Sequence, residues 1–304
     1  MGKILPLLMD TKCRLFTAAI NGSITELCKF MVVSNKSVKD LMKIDEDTNN
    51  TILHRICTKG RSKAFSFILS ILSKQEIIDY LFQSNNRDYR PYEYAVSYSS
   101  ISITKKIFDI KEIQEKISNN DDNLYRLFYH VFVYNQNKYL IDYIISVLNI
   151  TKEKMATIIG HKSPAPPYGK FASDRVKYDL RTIVGAISMV GTAKNMKHLA
   201  NVIGNELLCD HIFVKDGWGW NAIKYAIYKK KLQMIKCILS IKPVKEKLLT
   251  DDDELGPALK TLSDNFEESV AKYLVNELEL NETRLNELDQ VYSLNVNKIL
   301  SLSV

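Results

Sequence analysis

Between Lys215 and Leu239 the order of polar and apolar positions is regular. A polar, glycine-rich turn (Asp216-Gly217-Trp218-Gly219) precedes a short apolar stretch, Ala222, Ile223, Tyr225 and Ala226. A basic break, Lys229 to Lys231, separates it from a second stretch, Leu232, Ile235, Ile238 and Leu239. Offsets of three and four put each apolar set on one helix face. The pattern predicts turn, helix, turn, helix, and each helix is too short to be stable in water on its own.

The pattern recurs. Aligned on Ala226, similar hexamers occupy 14–19, 51–56, 90–95, 126–131, 182–187 and 256–261. They end on Ala19, Ile56, Ala95, Val131, Ile187 and Thr261, and five of the six steps are 35 to 39 residues long. Each is followed by a second apolar stretch at helical spacing, such as Phe65, Ile68, Leu69 and Leu72, or Met196, Leu199, Val202 and Ile203. A short third segment follows, as at 74–81 and 111–117, leading into Asn/Asp-rich turns at 45–50, 85–88, 119–123 and 251–254. Asn and Asp suit turns because their side chains bond the local backbone. A period of this length predicts a stack of units, each hiding its apolar side on the next.

The motif Asp216-x-x-Gly219-x-Asn221-Ala222-Ile223-x-x-Ala226 resembles the ankyrin-repeat core, Asp-x-x-Gly-x-Thr-Pro-Leu-His-x-Ala. Thr51-Ile52-Leu53-His54 is similar to its Thr-Pro-Leu-His tetrapeptide, and Arg14 to Ala19 with Asn21-Gly22 to its helical continuation. The resemblance covers roughly residues 10 to 280. It implies an all-α fold, a helical repeat solenoid of ankyrin-like helix-turn-helix units with lengthened connecting fingers. A generic tetratricopeptide or HEAT-type array is the alternative. It also implies a structural role for His54 in bonding its turn, and partner binding through the concave face and turn tips.

Four segments follow: about four units in 1–160, a Pro-containing insert at 161–179, about three units in 180–280, and a capping helix or tail at 281–304. The insert contains Pro164, Pro167 and Gly169 and accounts for the one long step, of 56 residues; proline does not continue a helix. Pro164-x-x-Pro167 reads as a rigid connector rather than an SH3-type ligand.

Of the 304 residues, 46% are hydrophobic and 25% charged, as in a folded globular chain. The longest uncharged apolar run, 182–193, is short of a membrane span. Ile4 to Met9 is too short for a secretory signal, and Met1-Gly2 has Pro6 where a myristoylation motif needs Ser or Thr. The five cysteines, Cys13, Cys28, Cys57, Cys209 and Cys237, lack regular spacing and read as reduced thiols of a cytoplasmic protein. The net charge of +7 is uneven: 251–289 carries twelve acids against Lys260, Lys272 and Arg284.

Candidate chemistry is sparse. Gly185 and Gly191 miss phosphate-loop spacing. His54 with Cys57, and Cys209 with His211, are the only close Cys/His pairs, short of a four-ligand zinc site. No cofactor, metal or small-molecule substrate is therefore expected. Lysines from Lys224 to Lys247, with Trp218, Trp220, Tyr225 and Tyr228 nearby, have a composition that single-strand nucleic-acid binding uses. No recognised nucleic-acid module accompanies them.

The expected function is recognition of a protein partner, with no chemistry of its own, through Trp218, Trp220, Arg87, Tyr89, Arg90, Asp122 and Tyr125. Trp, Tyr and Arg dominate interface hot spots. Of the two indoles, Trp220 is expected to pack on the next repeat and Trp218 to stay open. The rival readings are an enzyme whose site lies in the 161–179 insert, with His161, Tyr168 and Asp174, and a nucleic-acid-binding solenoid. The Lys-, Asn- and Ile-rich composition suggests an AT-rich genome. Divergent ankyrin arrays are common among effectors that intracellular bacteria inject into host cells. The Glu-rich stretch Glu277 to Glu287 resembles their acidic export signals, so secretion into a host cytosol is implied.

Overall fold

Residues with a side-chain oxygen stand where the helices begin. Ser73, Thr151, Thr182, Thr192, Asn221 and Asn281 each accept a hydrogen bond from a backbone N–H of the first helical turn. That satisfies donors the helix itself cannot, typically stabilising it by about 1 kcal/mol. The computed structural model describes residues 17–34, 48–98, 100–135, 137–161 and 182–300, and all regular structure among them is helical. The insert beyond His161, Gly2 and Cys13 lie outside the described residues. The chain divides into two compact units, which among the described residues are 17–149 and 150–300.

The first unit opens with a helical stretch at 17–21 and α1 (Ile24–Ser34). Two triplets follow. These are α2 (Ile52–Lys59), α3 (Ser62–Ile71) and α4 (Lys74–Phe82), then α5 (Pro91–Ser97), α6 (Ile101–Phe108) and α7 (Lys111–Ser118). The pair α8 (Asp121–Tyr134) and α9 (Lys138–Val147) completes it. Like packs on like: α2, α5 and α8 form one layer, and α1, α3, α6 and α9 a second.

The second unit comprises α10 (Lys152–Gly160) and the triplet α11 (Ile183–Met189), α12 (Ala193–Ile203) and α13 (Asn205–Phe213). The triplet α14 (Ala222–Tyr228), α15 (Leu232–Leu239) and α16 (Lys242–Thr250) comes next. The unit continues with α17 (Asp252–Asp264), α18 (Glu268–Glu277), α19 (Glu282–Tyr292) and α20 (Val296–Leu300). Here α11, α14 and α17 form one layer and α12, α15 and α18 the other. The short third helices α13 and α16 pack together at the far edge. Each unit is thus a helical array of repeated pairs, with a third helix where a hairpin finger would be short.

The two layers differ because their sequences differ. First helices are buried nearly all round: Asn123 to Val133 of α8 and Ile183 to Ser188 of α11 have no exposed residue. Second helices bury one stripe, as Ile103, Thr104, Ile107 and Phe108 do on α6. All seven hexamer ends, from Ala19 to Thr261, are buried, so the period read from the sequence is a period in packing.

Turns repeat as well. Gly60 (φ 63°) and Lys230 (φ 55°) occupy the same left-handed point between a first and a second helix. The next residue in each, Arg61 and Lys231, sends its amide to the carbonyl five back, Ile56 or Ala226. The side chains of those two residues reach a carbonyl of the preceding pair, Ile20 at 2.6 Å and Gly191 at 2.7 Å. Lysine therefore fills at position 230 a backbone conformation that favours glycine.

Candidate partner-binding surface

Two fingers, one in each unit, share one construction. In the first, the Asn85 side-chain oxygen accepts the amides of Arg87 and Tyr89, each at 2.9 Å. In the second, Asp216 accepts those of Trp218 and Trp220, also at 2.9 Å. The next-to-last position is left-handed in both, Asp88 at φ 60° and Gly219 at φ 72°. A tyrosine from the following helix closes each: Tyr94 Oη to Asn85 at 3.3 Å, and Tyr225 donating to Asp216. Polar Asn or Asp at the first position is needed because one side chain must accept two backbone N–H groups.

The first finger is tied to the turn before it. Asn85 Nδ2 donates to Asn50 Oδ1 at 2.8 Å and the Asn86 amide to the Thr48 carbonyl at 2.9 Å. His54 Nδ1 accepts the Thr51 amide at 3.0 Å, which leaves the proton on Nε2, 3.0 Å from the Tyr89 carbonyl. Burial, set against that carbonyl bond, lowers the His54 pKa to about 4. His54 is thus neutral at physiological pH and joins one turn to the next. The Cys57 thiol below it is buried and pushed up by desolvation, so it is not a nucleophile.

One turn further on, Glu93 stands where His54 stood. It caps α5 through the Arg90 amide at 2.9 Å and meets Arg126 of α8 at 2.6 and 3.1 Å. Arg126 also bonds the Asp88 carboxylate at 2.7 Å and the Asp88 carbonyl. Burial raises the Asp88 carboxyl, but Arg126 outweighs it and holds it below the usual range. His130 lies beside this group, its Nδ1 2.9 Å from the Ser97 hydroxyl, with its pKa lowered by burial to about 4.

Over this polar base lies an open groove of about 360 Å³ lined by Arg87, Tyr89, Tyr94, Ser97, Tyr98 and Tyr134. Tyr94 and Tyr98 are one helical turn apart on α5 and stack with ring centroids 6.1 Å apart at 20°. Tyr89 packs 4.9 Å from Tyr94 and 5.3 Å from His130. Burial, then the neighbouring Tyr134 and Tyr94, push the Tyr89 phenol up. Tyr98 is 59% exposed and Tyr134 40%. Arg87 is exposed and makes no ion pair among the described residues.

In the second unit Trp218 is 56% exposed at the finger tip. Trp220 is half-buried, packed 5.3 Å from Tyr225 and 5.1 Å from Tyr228 and covered by the Lys224 ammonium at 5.2 Å. Trp218 stays open, whereas Trp220 packs on α14 of its own repeat and not on the next one, because the turn at Gly219 brings the indole back over Tyr225 and Tyr228.

The other residues named from sequence divide too. Arg87 and Tyr89 line the groove. Arg90 does not: its guanidinium is half-buried against Tyr92, Asn123 and the Phe82 ring. Tyr125 is wholly buried, because every residue of α8 from Asn123 to Val133 faces a neighbour, so it offers no surface to a partner. Asp122 is exposed in the first turn of α8, where a carboxylate complements the helix dipole. Sequence reasoning missed Tyr94, Tyr98 and Tyr134. The four-residue spacing of Tyr94 and Tyr98 was the available signal.

Much of the lysine cluster is engaged. Lys231 holds the Gly191 carbonyl, Lys245 pairs with Glu277 at 2.8 Å, and Lys236 and Lys247 lie over the rings of Tyr273 and Phe213. No group of three or more His, Cys, Asp or Glu side chains among the described residues is placed to hold a metal ion. No helix among them is long and apolar enough to cross a membrane.

No family model matches the chain, and no curated protein does. Among solved structures, a chain in the complex of a predatory endopeptidase from Bdellovibrio bacteriovorus with its immunity protein is similar at 15% identity and a TM-score of 0.48. The match covers 75% of this chain and 97% of that one. At that score it bears on neither the fold nor the activity of this chain.

Proposed function

We propose that this chain is a protein-recognition module, a divergent ankyrin-like array that binds a partner through its fingers and first-helix layer. One observation carries the reading: the open groove that gathers four tyrosines and Arg87 above the bonded side chains of Asn85, Glu93 and Arg126. Tyr supplies large contact area on two rotatable bonds, so a packed cluster of tyrosines loses little entropy on binding, and Arg is enriched at interface hot spots. The exposed indole on the second finger supplies the same chemistry at the equivalent point of the other unit. The engaged lysines weigh against a nucleic-acid reading, which needs a continuous basic track. The partner is taken to be a host-cell protein, following the expected effector role.

The test places a photo-crosslinking benzoylphenylalanine in turn at positions 98, 218 and 63, the last an exposed site on α3. The expected result is one partner protein coupled from 98 or 218 and not from 63, which then binds the purified chain. Equal coupling from 63, or none from either finger, overturns the reading.

A further inference from the structure

We infer that the groove of Tyr89, Tyr94, Tyr98 and Tyr134 takes an extended, acidic, proline-containing segment of a partner protein, with a proline ring on the Tyr94–Tyr98 stack and a carboxylate on Arg87. The inference rests on the recognition reading above and names its ligand chemistry.

Charge is the first argument. Arg87 is an exposed cation with no ion pair among the described residues. The carboxylates nearest in the chain, Asp88 and Glu93, are both bound by Arg126. Burial pushes the Tyr94 phenol up, and among the charged neighbours Arg87 and Arg55 pull it down. No carboxylate lines the groove. A segment bearing Asp or Glu is therefore attracted to Arg87, and a cation beside that guanidinium is opposed.

Hydrogen bonding is the second. The lining side chains are one guanidinium, four phenols and the Ser97 hydroxyl, which already meets His130. Guanidinium donates only, and phenols donate readily to carbonyls. Phenol oxygens also accept, but that of Tyr94 already takes the Asn85 Nδ2 proton, and Tyr89 and Tyr134 bond each other. A segment entering here therefore finds the Arg87 donors for its carbonyls and few free acceptors for its amides. Proline has no N–H to leave unsatisfied. Its polyproline II form is already extended, so little order is lost on docking, and aromatic-lined grooves recognise it in this way.

Shape is the third. Two tyrosine rings inclined by only 20° and flanked by Tyr89 and Tyr134 offer flat aromatic walls to the compact, conformationally fixed proline ring. Single-stranded nucleic acid also stacks on tyrosine, but it needs cations along its backbone, and Arg87 is the only charged residue in the lining.

The test uses the full chain and fluorescence anisotropy. The probes are a fluorescein-labelled peptide of sequence Glu-Pro-Pro repeated three times, the same peptide with Lys for Glu, the same with Gly for Pro, and a twelve-nucleotide oligothymidylate. The acidic proline peptide is expected to bind most tightly. Tyr98→Ala should weaken it about tenfold, the scale of a modest aromatic hot spot. Arg87→Glu should turn the preference to the lysine peptide, and Lys63→Ala should leave it unchanged. Both groove residues are exposed, so unaltered circular dichroism and urea midpoints will show that the variants fold. Equal binding of the glycine peptide, or tighter binding of the lysine peptide or the oligonucleotide, overturns the inference. If no peptide binds while position 98 still couples to a partner, the inference fails and the recognition reading stands. If both fail, both are wrong.

Discussion

The Arg126 guanidinium meets the Glu93 carboxylate at 2.6 Å, 33 residues apart in the chain, with 7% and 0% of the two side chains exposed. This contact joins α8 to α5 beneath the groove, so the helices that carry Tyr134 and Tyr98 are held by it. Removing one member leaves a buried charge without its partner, which costs about 3–5 kcal/mol. Arg126→Met and Glu93→Gln should each lower the unfolding free energy from urea titration by that scale, and the double variant should cost less than the sum. A strictly additive pair would show that the two are not coupled.

His54 and His130 are both held neutral, each with a pKa near 4 against an ordinary value of 6.5. Above pH 6.5 neither folded nor unfolded chain is protonated at these sites, and the stability is complete. As pH falls toward 4 the unfolded chain takes up protons that the folded chain refuses, so stability falls. Glu93 and Arg126 face His130, and Glu93, Arg55 and the carbonyls of Tyr89 and Gln83 face His54. The loss should reach roughly 3 kcal/mol per histidine across the window. Urea unfolding between pH 6.5 and 5, above most carboxylate titration, should show it, and His130→Leu should reduce the slope. A flat profile would refute the assignment.

Exposure separates the aromatic residues. Trp218→Ala should change stability by no more than about 0.5 kcal/mol, as for a surface position, while reducing partner coupling. Tyr125→Ala should cost about 3–5 kcal/mol, as for a buried aromatic, and reduce coupling only through unfolding. Thermal melts alongside crosslinking yields distinguish the two. A stable Tyr125→Ala chain with lost binding would move Tyr125 to the surface.

Asn85 and Asp216 each accept two backbone amides. Asn85→Ala and Asp216→Ala should each cost about 1–3 kcal/mol, the penalty for leaving such donors unpaired, and should loosen the finger before the helices. Hydrogen exchange at the amides of Arg87, Tyr89, Trp218 and Trp220 reads this directly. Unchanged protection would show that the side chains are not the acceptors.

Cys57 is buried and its thiol is pushed up by desolvation. It should stay unlabelled by iodoacetamide in the folded chain and react once urea unfolds it, as mass spectrometry of the peptides would show. Rapid labelling of Cys57 in the native chain would mean that α2 opens readily.

The amino-acid sequence by itself determined the helices and their period. The hexamer ends from Ala19 to Thr261 are small or apolar, five of their six steps are 35 to 39 residues, and a chain of short amphipathic helices can hide those positions only by stacking them. It also determined the caps and fingers, because Thr182, Asn221, Asn85 and Asp216 act on amides within four residues. Only the tertiary structure decided which polar and aromatic residues face outward. Nothing local distinguishes Arg87 from Arg90 or Tyr134 from Tyr125, and a helix buried nearly all round, such as α8 with Arg126 and His130 among its apolar residues, carries no single stripe to orient it. Arg126 and Glu93 look like ordinary surface charges until packing brings α8 onto α5. Burial and pairing at that distance belong to contacts between successive repeats, which no window of neighbouring residues contains.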